Sequence, residues 1–399
     1  MKVLLVNKYW YAKGGAEVVA MQTKDFLEAA GHQVAVFAMQ HPKNMVKSDL
    51  FPVEIDYRKD SLATKIQNVF KTLRNKQAMM QFEKLIQQFQ PDVVHFHNIY
   101  HQLSYGLLEV TKKYKIRTVM TLHDYKLLSP NYSLYHHGHI DESILGKKYY
   151  RCLLTNCMES FPESIVGTLE AYYREAKKYH NLIDVYISPS EFLKKLFVRA
   201  GWDKKKIVVI PNPVEIPLHS FREVSQTEGE YVAYIGRLSQ EKGLNVLLEA
   251  AALTPTILYK VVGTGPEEKS LQKTQEKKNL KNVSFLGWKT GADLQRLYEQ
   301  ARILIVPSVW YENYPLGILE AKAYGKIVLG SNIGGIPEML DNKFLFQPGD
   351  AQDLSEKIKQ WYQISGTERK KIGKELQQEV LERNSPKHYV ESLEELYHG

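Results

Sequence analysis

The stretch ILIVPSVWYENYPLGILEAKAYGKIVLGS, residues 303–331, holds two short apolar runs with a helix-length segment between them. The runs 303–308 and 326–331 are rich in β-branched residues and lack an alternating pattern. Such runs are typical of strands that are buried on both faces. The stretch therefore predicts a strand–helix–strand unit, which is the building block of a parallel sheet.

The start of the helix in this unit is set by a proline. Pro315 prevents a helix from running through from Trp310. Asn313 or Tyr314 can cap the helix, Pro315 suits its first position, and Gly325 is expected to end it.

The same alternation of strand and helix recurs along the chain. Apolar runs before the linker occupy 2–7, 33–38, 91–97, 117–123, 184–190 and 206–211. Further runs occupy 231–236, 257–263 and 283–287, ahead of the opening stretch. Between the two sets, residues 211–230 contain three prolines and many polar residues, which favours a linker. We therefore expect an α/β fold of two doubly wound parallel-sheet domains, 1–210 and 211–384.

Length and composition fit this expectation. A chain of 399 residues exceeds a single core, and 44% hydrophobic with 25% charged residues is ordinary globular composition. Two cysteines argue against a disulfide framework. The apolar run near the N-terminus is too short for a signal peptide, and no later run approaches a membrane span, so a cytoplasmic location is expected.

The net charge of +8 comes partly from two basic groups, 57–76 and 192–206, which also carry apolar residues at helical spacing. They are either solvated helix faces or surfaces that rest on anionic lipid. No nucleic-acid motif accompanies the charge, so we do not expect a nucleic-acid partner.

Two glutamates of the opening stretch are candidates for ligand binding. Glu312 lies in the loop that follows a strand, and Glu320 lies in the early turns of the helix. Ligands bind open α/β sheets at such loops, and a helix N-terminus offers free N–H groups to a phosphate. Because carboxylates accept hydrogen bonds from sugar and ribose hydroxyls, the pair fits a nucleotide-sugar. The alternative is a pair of surface glutamates that solubilise a helix.

Two cations follow the first strand of the second domain. Gly236 and Arg237 leave the strand end, and Lys242 with Gly243 precedes a helix. Cations at this position would neutralise the charge that grows on a departing diphosphate. Lysine and arginine in loops are, however, mostly solvated.

Glycines at strand ends give weaker signals. Gly14 and Gly15 separate the first strand from its helix, and adjacent glycines let backbone approach a phosphate. Gly263 and Gly265 stand at another strand end. None of these forms the dinucleotide fingerprint G-x-G-x-x-G.

Taken together, the motifs resemble the retaining nucleotide-sugar glycosyltransferases of family 4, which have the GT-B fold. The resemblance covers nearly the whole chain. It rests on Gly14–Gly15 with Glu17, PDVVHFHN (91–98), TLHDY (121–125), ISPSEFLKK (187–195), IPNPV (210–214), GRLSQEKG (236–243), VGTGPEE (262–268) and the pair Glu312 and Glu320.

The resemblance implies roles for these residues. Glu312 would hold donor-sugar hydroxyls, and Glu320 would hold the ribose. Arg237 and Lys242 would bind the diphosphate, and Gly15 would close over it.

Further contacts follow from the same resemblance. His123 would line the sugar site, and backbone amides near Asn313, Tyr314 and Leu316 would contact the sugar or the phosphate. The N-terminal domain would bind the acceptor and the C-terminal domain the donor, across a cleft. The last helix, 385–399, would cross back onto the N-terminal domain.

The implied reaction is retaining transfer from a nucleoside-diphosphate sugar, with UDP the commonest base, to a glycan or lipid-linked acceptor of cell-surface polysaccharide. The basic stretch 57–76 suggests that this acceptor is met at the inner membrane face. No DxD motif is suitably placed, so neither a metal ion nor a cofactor is expected.

Cys152 and Cys157, with His136, His137 and His139 nearby, could form a zinc cluster, but C-x4-C is outside the usual finger spacing. An insertion at 131–165 near the acceptor is the favoured interpretation. Of His95 and His97, which alternate along one strand, one could face a ligand while the other lies in the core.

Other functions remain open on the sequence alone. A retaining glycosidase also uses paired carboxylates, although Arg237 and Lys242 would then have no task. A phosphorylase or epimerase with the same fold, and a non-catalytic nucleotide-sugar-binding protein, are further alternatives.

Overall fold

The structure is a computed structural model that describes residues 1–55, 71–215 and 231–398. The basic stretch predicted at 57–76 lies largely outside these ranges, so its helical pattern and its membrane role stay predictions. The same holds for the linker beyond residue 215.

The chain divides into two compact units. The first unit comprises residues 1–137, 141–213 and 389–399, and the second comprises 138–140 and 214–388. The roles predicted for domains 1–210 and 211–384 remain predictions.

The first unit is built on a parallel sheet of six strands in the order β2-β1-β3-β4-β7-β8. The strands are β1 Lys2–Val6, β2 Gln33–Phe37, β3 Val93–Phe96, β4 Arg117–Thr121, β7 Val185–Ser188 and β8 Ile207–Val209. Two short strands, β5 Tyr135–His136 and β6 His139–Ile140, lie between β4 and β7 in the chain. The helices are α1 Gly15–Ala29, α2 Lys76–Phe89, α3 Leu107–Lys113, α4 Arg151–Thr155, α5 Phe161–Ala176 and α6 Glu191–Arg199.

The central strands of this sheet are buried on both faces, as the apolar runs predict. Val3, Leu4 and Leu5 of β1 have no exposed surface, and β3 is likewise buried throughout. The chain leaves β1 for β2 on one side and later returns to pair β3 on the other. The carboxyl ends of β1 and β3 therefore form the switch point of the first sheet, where open α/β sheets bind ligands.

The last helix, α13 Pro386–His398, belongs to the first unit from Tyr389 onward. Tyr389, Val390, Leu393 and Tyr397 are buried, so the apolar stripe of this helix faces protein. The Tyr389 hydroxyl lies 3.0 Å from the Thr23 hydroxyl of α1.

The second unit carries another parallel sheet of six strands, in the order β11-β10-β9-β12-β13-β14. Its strands are β9 Tyr231–Ile235, β10 Tyr259–Val262, β11 Val283–Gly287, β12 Ala301–Val306, β13 Ile327–Ser331 and β14 Leu345–Phe346. Its helices are α7 Leu244–Ala252, α8 Glu268–Lys277, α9 Gly291–Gln300, α10 Leu316–Ala323, α11 Ala351–Tyr362 and α12 Gly366–Asn384. Strands β9 and β12 are neighbours, so the switch point of this sheet lies between their carboxyl ends.

The predicted fold class is confirmed: both units are doubly wound α/β layers on parallel sheets. Every strand predicted from an apolar run is present. Three two-residue strands, β5, β6 and β14, were not predicted because they are too short to leave a pattern.

The predicted start of α10 is wrong by one residue. Pro315 is the N-cap, with φ −65° and ψ 120°, and no side chain caps the helix, so neither Asn313 nor Tyr314 has that role. The helix begins at Leu316 because the extended ψ of Pro315 keeps that residue outside the helix.

Candidate functional site

Two loops lie at the switch point of the second sheet. Residues 236–243 follow β9, and residues 307–315 follow β12. Gly243 allows the two loops to touch: its φ is +67°, and a Cβ atom there would lie 1.9 Å from the carbonyl oxygen of Pro307. Glycine is therefore required at this position for both conformation and space.

Lys242 and Glu312 meet across these loops. Lys242 Nζ donates a hydrogen bond of 2.7 Å to Glu312 Oε1, and Ser308 Oγ donates to the same oxygen at 2.6 Å. Lys242 also lies over the Trp310 ring, 5.1 Å from its centroid. The two residues are 70 positions apart in sequence, and the loops bring them into direct contact.

The carboxylate of Glu312 is held in its charged form. Burial acts to raise its pKa, but the charge of Lys242 and the hydrogen bonds from Lys242 and Ser308 outweigh burial, and the pKa is lowered. Only 5% of Glu312 is exposed, so the charge is stable there because Lys242 neutralises it.

Arg237 lies on the loop after β9 and is exposed. Its backbone is fixed by its neighbours: the Tyr234 hydroxyl donates to the Arg237 carbonyl at 2.7 Å, and the Leu238 N–H donates to the Thr264 carbonyl at 3.0 Å. The guanidinium makes no ion pair with any residue that the structure describes.

Glu320 lies within α10 and is held by an aromatic pair. Tyr298 donates its hydroxyl hydrogen to Glu320 Oε2 at 2.5 Å, and the Tyr298 ring stacks on that of Tyr324 with centroids 5.1 Å apart. Burial raises the pKa of Glu320, and the hydrogen bond from Tyr298 only partly offsets this. A partly exposed carboxylate with one donor has room to accept bonds from a hydroxylated ligand.

The remaining candidates of this loop lie close to the start of α10. Asn313, Tyr314 and Leu316 are partly exposed, and Asn384 Nδ2 donates to the Tyr314 hydroxyl at 3.2 Å. No side chain caps α10, and the Ile318 N–H donates to the Pro315 carbonyl at 3.1 Å.

Gly263 and Gly265 have a structural reason to be glycine. A Cβ atom on Gly263 would lie 1.9 Å from the Gly236 carbonyl oxygen, and one on Gly265 would lie 2.1 Å from that of Leu238. The loop after β10 is therefore packed directly against the loop that carries Arg237. This packing neither requires nor excludes the donor-binding role that is predicted for Gly263 and Gly265.

A second glycine pair, Gly334 and Gly335, was missed by the sequence reasoning. Gly335 donates its N–H to the Glu312 carbonyl at 2.6 Å, and a Cβ atom on Gly335 would lie 2.0 Å from the Asn313 carbonyl oxygen. The loop after β13 therefore supports the backbone of Glu312. Adjacent glycines directly after a predicted strand were the available signal.

In the first unit, the loop after β1 carries Gly14 and Gly15. Gly14 is the N-cap of α1 with extended backbone, Gly15 is its first residue, and both are exposed. Glu17 in the first turn is 7% exposed, and burial raises its pKa although Lys8 opposes this.

Three histidines stand at the carboxyl ends of β3 and β4 in this unit. His95 and His97 have no exposed surface, and their rings stack with centroids 4.6 Å apart. His97 Nδ1 lies 2.8 Å from His123 Nε2. Burial lowers the pKa of both His95 and His123 to about 3. Both strand histidines are therefore core residues, and His97 contacts the predicted sugar-site residue His123.

The two cysteines form a disulfide, Cys152–Cys157, which was not predicted from the sequence. The bridge is local, because it joins positions five residues apart, and it removes both thiols from any zinc site. His136 Nε2 lies 3.1 Å from Asp141 Oδ2. Among the residues that the structure describes, no group of three or more His, Cys, Asp or Glu side chains could hold a metal ion.

Within the described ranges, no helix is long and apolar enough to cross a bilayer. Three apolar residues of the basic group 192–206 are buried in the first unit, namely Leu193, Leu196 and Phe197.

Comparison with known proteins gives two family matches that together span most of the chain. Residues 13–216 match the model described as Glycosyltransferase Family 4, and residues 215–379 match the model described as Glycosyl transferases group 1. The first match alone covers just over half of the chain.

Two curated bacterial relatives extend this result. A Klebsiella pneumoniae protein described as "Uncharacterized 42.6 kDa protein in cps region" is 27% identical over 372 residues, which are 89% of this chain and 91% of that protein. The "Putative colanic acid biosynthesis glycosyltransferase WcaL" of Escherichia coli K12 is 25% identical over 238 residues, which are 54% of this chain and 58% of that protein. The match with the second relative thus spans little more than half of its length.

Among solved structures, Anabaena HepE in complex with UDP and glucose is similar in fold, with a TM-score of 0.64 and 19% identity over 99% of both chains. The predicted family and the predicted fold are thereby confirmed. With a family model matched over half of its length and both parallel-sheet units in place, the chain belongs to glycosyltransferase family 4 and is a GT-B glycosyltransferase.

Proposed function

We propose that this chain is a retaining glycosyltransferase that moves a sugar from a nucleoside-diphosphate donor, a UDP-sugar, to a glycan or lipid-linked acceptor of a cell-surface polysaccharide. The observation that carries the proposal is the Lys242–Glu312 pair at the switch point of the second sheet, with Arg237 on the same loop as Lys242. A site for a neutral sugar alone has no need of two cations.

Lys242 and Arg237 are proposed to bind the diphosphate. Lys242 is 23% exposed at its side chain, so its ammonium can contact a ligand while Glu312 still accepts one of its hydrogen bonds. Arg237 is exposed on a backbone that Tyr234 and Thr264 hold in place. Both cations would stabilise charge that grows on the diphosphate as the sugar bond breaks.

Glu312 is proposed to position the sugar rather than to attack it. Lys242 and Ser308 both donate to Glu312 Oε1, which makes that oxygen a poor nucleophile. A sugar hydroxyl is proposed to donate a hydrogen bond to this carboxylate. In the same way, Glu320 is proposed to accept bonds from the ribose, and His123 to contribute to sugar binding from the first unit.

The proposed step occurs on one face of the sugar. The bond between the anomeric carbon and the diphosphate oxygen breaks, and a bond from the acceptor oxygen to the same carbon forms. The acceptor proton passes to the departing diphosphate oxygen. No protein nucleophile and no metal ion take part in this proposal, because the two cations supply the positive charge.

The choice of donor and process is supported by the relatives. The name of the E. coli relative refers to colanic acid biosynthesis, that of the Klebsiella relative to a cps region, and HepE was crystallised with UDP and glucose. The proposed location is the cytoplasm, with peripheral contact to the inner membrane face where a lipid-linked acceptor would be met.

The test begins with nucleotide binding. Thermal unfolding is followed with UDP, GDP, ADP and NAD on the wild type, Glu320→Ala and the exposed control Glu375→Ala. A nucleotide at one hundred times its dissociation constant adds about 2.7 kcal/mol of stability. We expect UDP to stabilise the wild type and the control, and to stabilise Glu320→Ala much less. No shift with any nucleotide would overturn the proposal.

Turnover and stereochemistry complete the test. Incubation with UDP-sugars and membrane-extracted acceptors, followed by NMR of the anomeric proton, should give the anomeric configuration of the donor. Excess EDTA should leave the rate unchanged. An inverted product would refute retention, a rate lost with EDTA would refute metal independence, and UDP binding without turnover would favour a non-catalytic binder.

A further inference from the structure

One face of α5 in the first unit exposes apolar side chains to solvent. Phe161 is 58% exposed, Ile165 40%, Leu169 53% and Tyr172 40%. Their spacing places all four within about 80° of one another around the helix. Single exposed apolar residues are normal, whereas a continuous stripe marks a surface that is covered by something else.

Helix α4 extends this stripe. Leu154 is 77% exposed and Tyr150 48%. The Tyr150 N–H donates to the Tyr172 hydroxyl at 3.2 Å, so the start of α4 lies beside the end of the stripe. We call the six residues the apolar face: Tyr150, Leu154, Phe161, Ile165, Leu169 and Tyr172.

The apolar face is not an unfinished part of the core. The opposite side of α5 is already packed, because Gly167 and Ala171 are buried and a Cβ atom on Gly167 would lie 3.2 Å from Pro130. The disulfide Cys152–Cys157 and a small core that includes Tyr149 hold α4 against α5. The face is therefore presented on a rigid support.

Basic residues border one end of the apolar face. The exposed members are Lys147, Lys148, Arg151, Lys177 and Lys178. They flank Tyr150 at the start of α4 and follow Tyr172 at the end of α5. Lys147 forms an ion pair of 2.8 Å with Glu175. The exposed acids of this segment, Glu159 and Glu163, lie at the other end, beside Phe161.

We propose that the apolar face docks on an anionic lipid surface, with its aromatic and aliphatic side chains at the headgroup boundary and the bordering lysines on lipid phosphates. Phenylalanine, leucine and tyrosine with basic neighbours are the composition of interfacial helices. Each Lys or Arg near an anionic leaflet adds attraction that falls off within a Debye length. A protein partner fits less well, because lysine is depleted from protein interfaces.

This inference deepens the proposed function, and rests on it in one respect: a lipid-linked acceptor would be met at this surface. Docking itself does not require turnover. Vesicle binding and nucleotide binding can therefore be measured separately, and failure of one leaves the other intact.

Flotation with vesicles tests the proposal. The full chain is mixed with vesicles of phosphatidylcholine alone, or of phosphatidylcholine with phosphatidylglycerol, at low and at physiological ionic strength. We expect binding to the anionic vesicles that weakens with salt. Phe161→Ser/Leu169→Ser should reduce the partition coefficient about tenfold or more, since two apolar side chains no longer leave water.

Matched controls distinguish vesicle binding by the apolar face from nonspecific vesicle binding by other exposed residues. Trp288 and Leu258 of the second unit are 63% and 54% exposed, so Trp288→Ser/Leu258→Ser should bind vesicles as the wild type does. Lys148→Gln/Arg151→Gln/Lys178→Gln should weaken binding to anionic vesicles, while the α8 control Lys273→Gln/Lys277→Gln/Lys278→Gln should not. Thermal shift with UDP should be unchanged in all four variants.

Three results would overturn the proposal. The first is no flotation of the folded wild type at low salt. The second is equal flotation of the wild type and the Phe161→Ser/Leu169→Ser variant. The third is a change of oligomeric state in that variant, measured by light scattering, with no loss of vesicle binding, which would assign the face to a second copy of the chain.

Discussion

His97 Nδ1 lies 2.8 Å from His123 Nε2, and the two rings stack with centroids 5.1 Å apart. Because burial holds the pKa of both imidazoles far below the usual value, both rings are neutral. One must then donate its single N–H and the other must accept it. His97 thereby fixes the orientation of His123, although no motif pointed to that task.

The buried histidines predict an acid-sensitive fold. The pKa of His95 is lowered from 6.5 to about 3. As the pH falls below 6.5, a proton therefore binds to this imidazole in the unfolded chain but not in the folded chain. Its contribution to stability is present above pH 6.5 and is lost as pH falls, at about 1.4 kcal/mol per pH unit for each such residue. Urea unfolding of the wild type and of His95→Gln between neutral and mildly acidic pH should show a smaller slope in the variant. Equal slopes would contradict the prediction.

We predict that replacing Lys242 alone destabilises the fold more than replacing Lys242 and Glu312 together. Lys242→Met leaves the buried Glu312 carboxylate without its counter-charge and should cost about 1–3 kcal/mol of unfolding free energy, less than for a fully buried pair because Lys242 is partly exposed. Lys242→Met/Glu312→Gln should recover part of that loss. Urea denaturation of the four-member cycle measures the coupling. Additive effects would show that the contact adds no stability.

Glu320 is expected to lower stability as the pH rises, which is opposite to the effect of His95. Burial raises its pKa, so the folded state binds this proton more tightly than the unfolded chain. The contribution is complete below the ordinary carboxyl pKa and is lost as pH rises through the raised value. Relative to Glu320→Gln, the wild type should therefore lose stability from mildly acidic to neutral pH. Tyr298→Phe, which removes the hydrogen-bond donor, should enlarge that loss. Parallel profiles for wild type and Glu320→Gln would refute it.

The surroundings of Gly263 and Gly287 predict different losses of unfolding free energy when each glycine is replaced by alanine. Gly263→Ala places a Cβ atom against the Gly236 carbonyl and should cost about 3 kcal/mol or more. Gly287 also has a positive φ, +67°, but open space around it, so Gly287→Ala should cost only about 1–2 kcal/mol. Thermal and urea unfolding of both variants make the comparison. Similar losses would mean that the loop after β10 can move aside.

The sequence predicted the strands well because local composition decides them. Runs such as 2–7 and 303–308 are short, β-branched and unbroken, and a parallel sheet buried on both faces is the structure that accommodates them. Glu312 and Lys242 were both chosen as candidates because each follows a predicted strand, and open α/β sheets bind ligands at the loops after their strands.

What the sequence could not supply depends on contacts between distant residues. Nothing local to Gly263 indicates that it faces Gly236, nor that Tyr298 donates to Glu320. The N-cap of α10 is Pro315 rather than Asn313 or Tyr314, because the extended backbone at Pro315 delays the start of the helix. The Cys152–Cys157 bridge was missed because two cysteines give no framework to recognise.

The final helix has a consequence for the synthesis of the protein. Tyr397 Oη lies 2.7 Å from His95 Nδ1, a contact between residues 302 positions apart, and Tyr389 closes on Thr23. A helix that is translated after the second unit thus completes the unit that is translated before it. While the second unit is being translated, the pocket for Tyr397 beside β3 stays open and His95 Nδ1 lacks the contact with Tyr397. The nascent chain therefore holds its first unit unfinished until this helix has been made, a period in which chaperones can bind it.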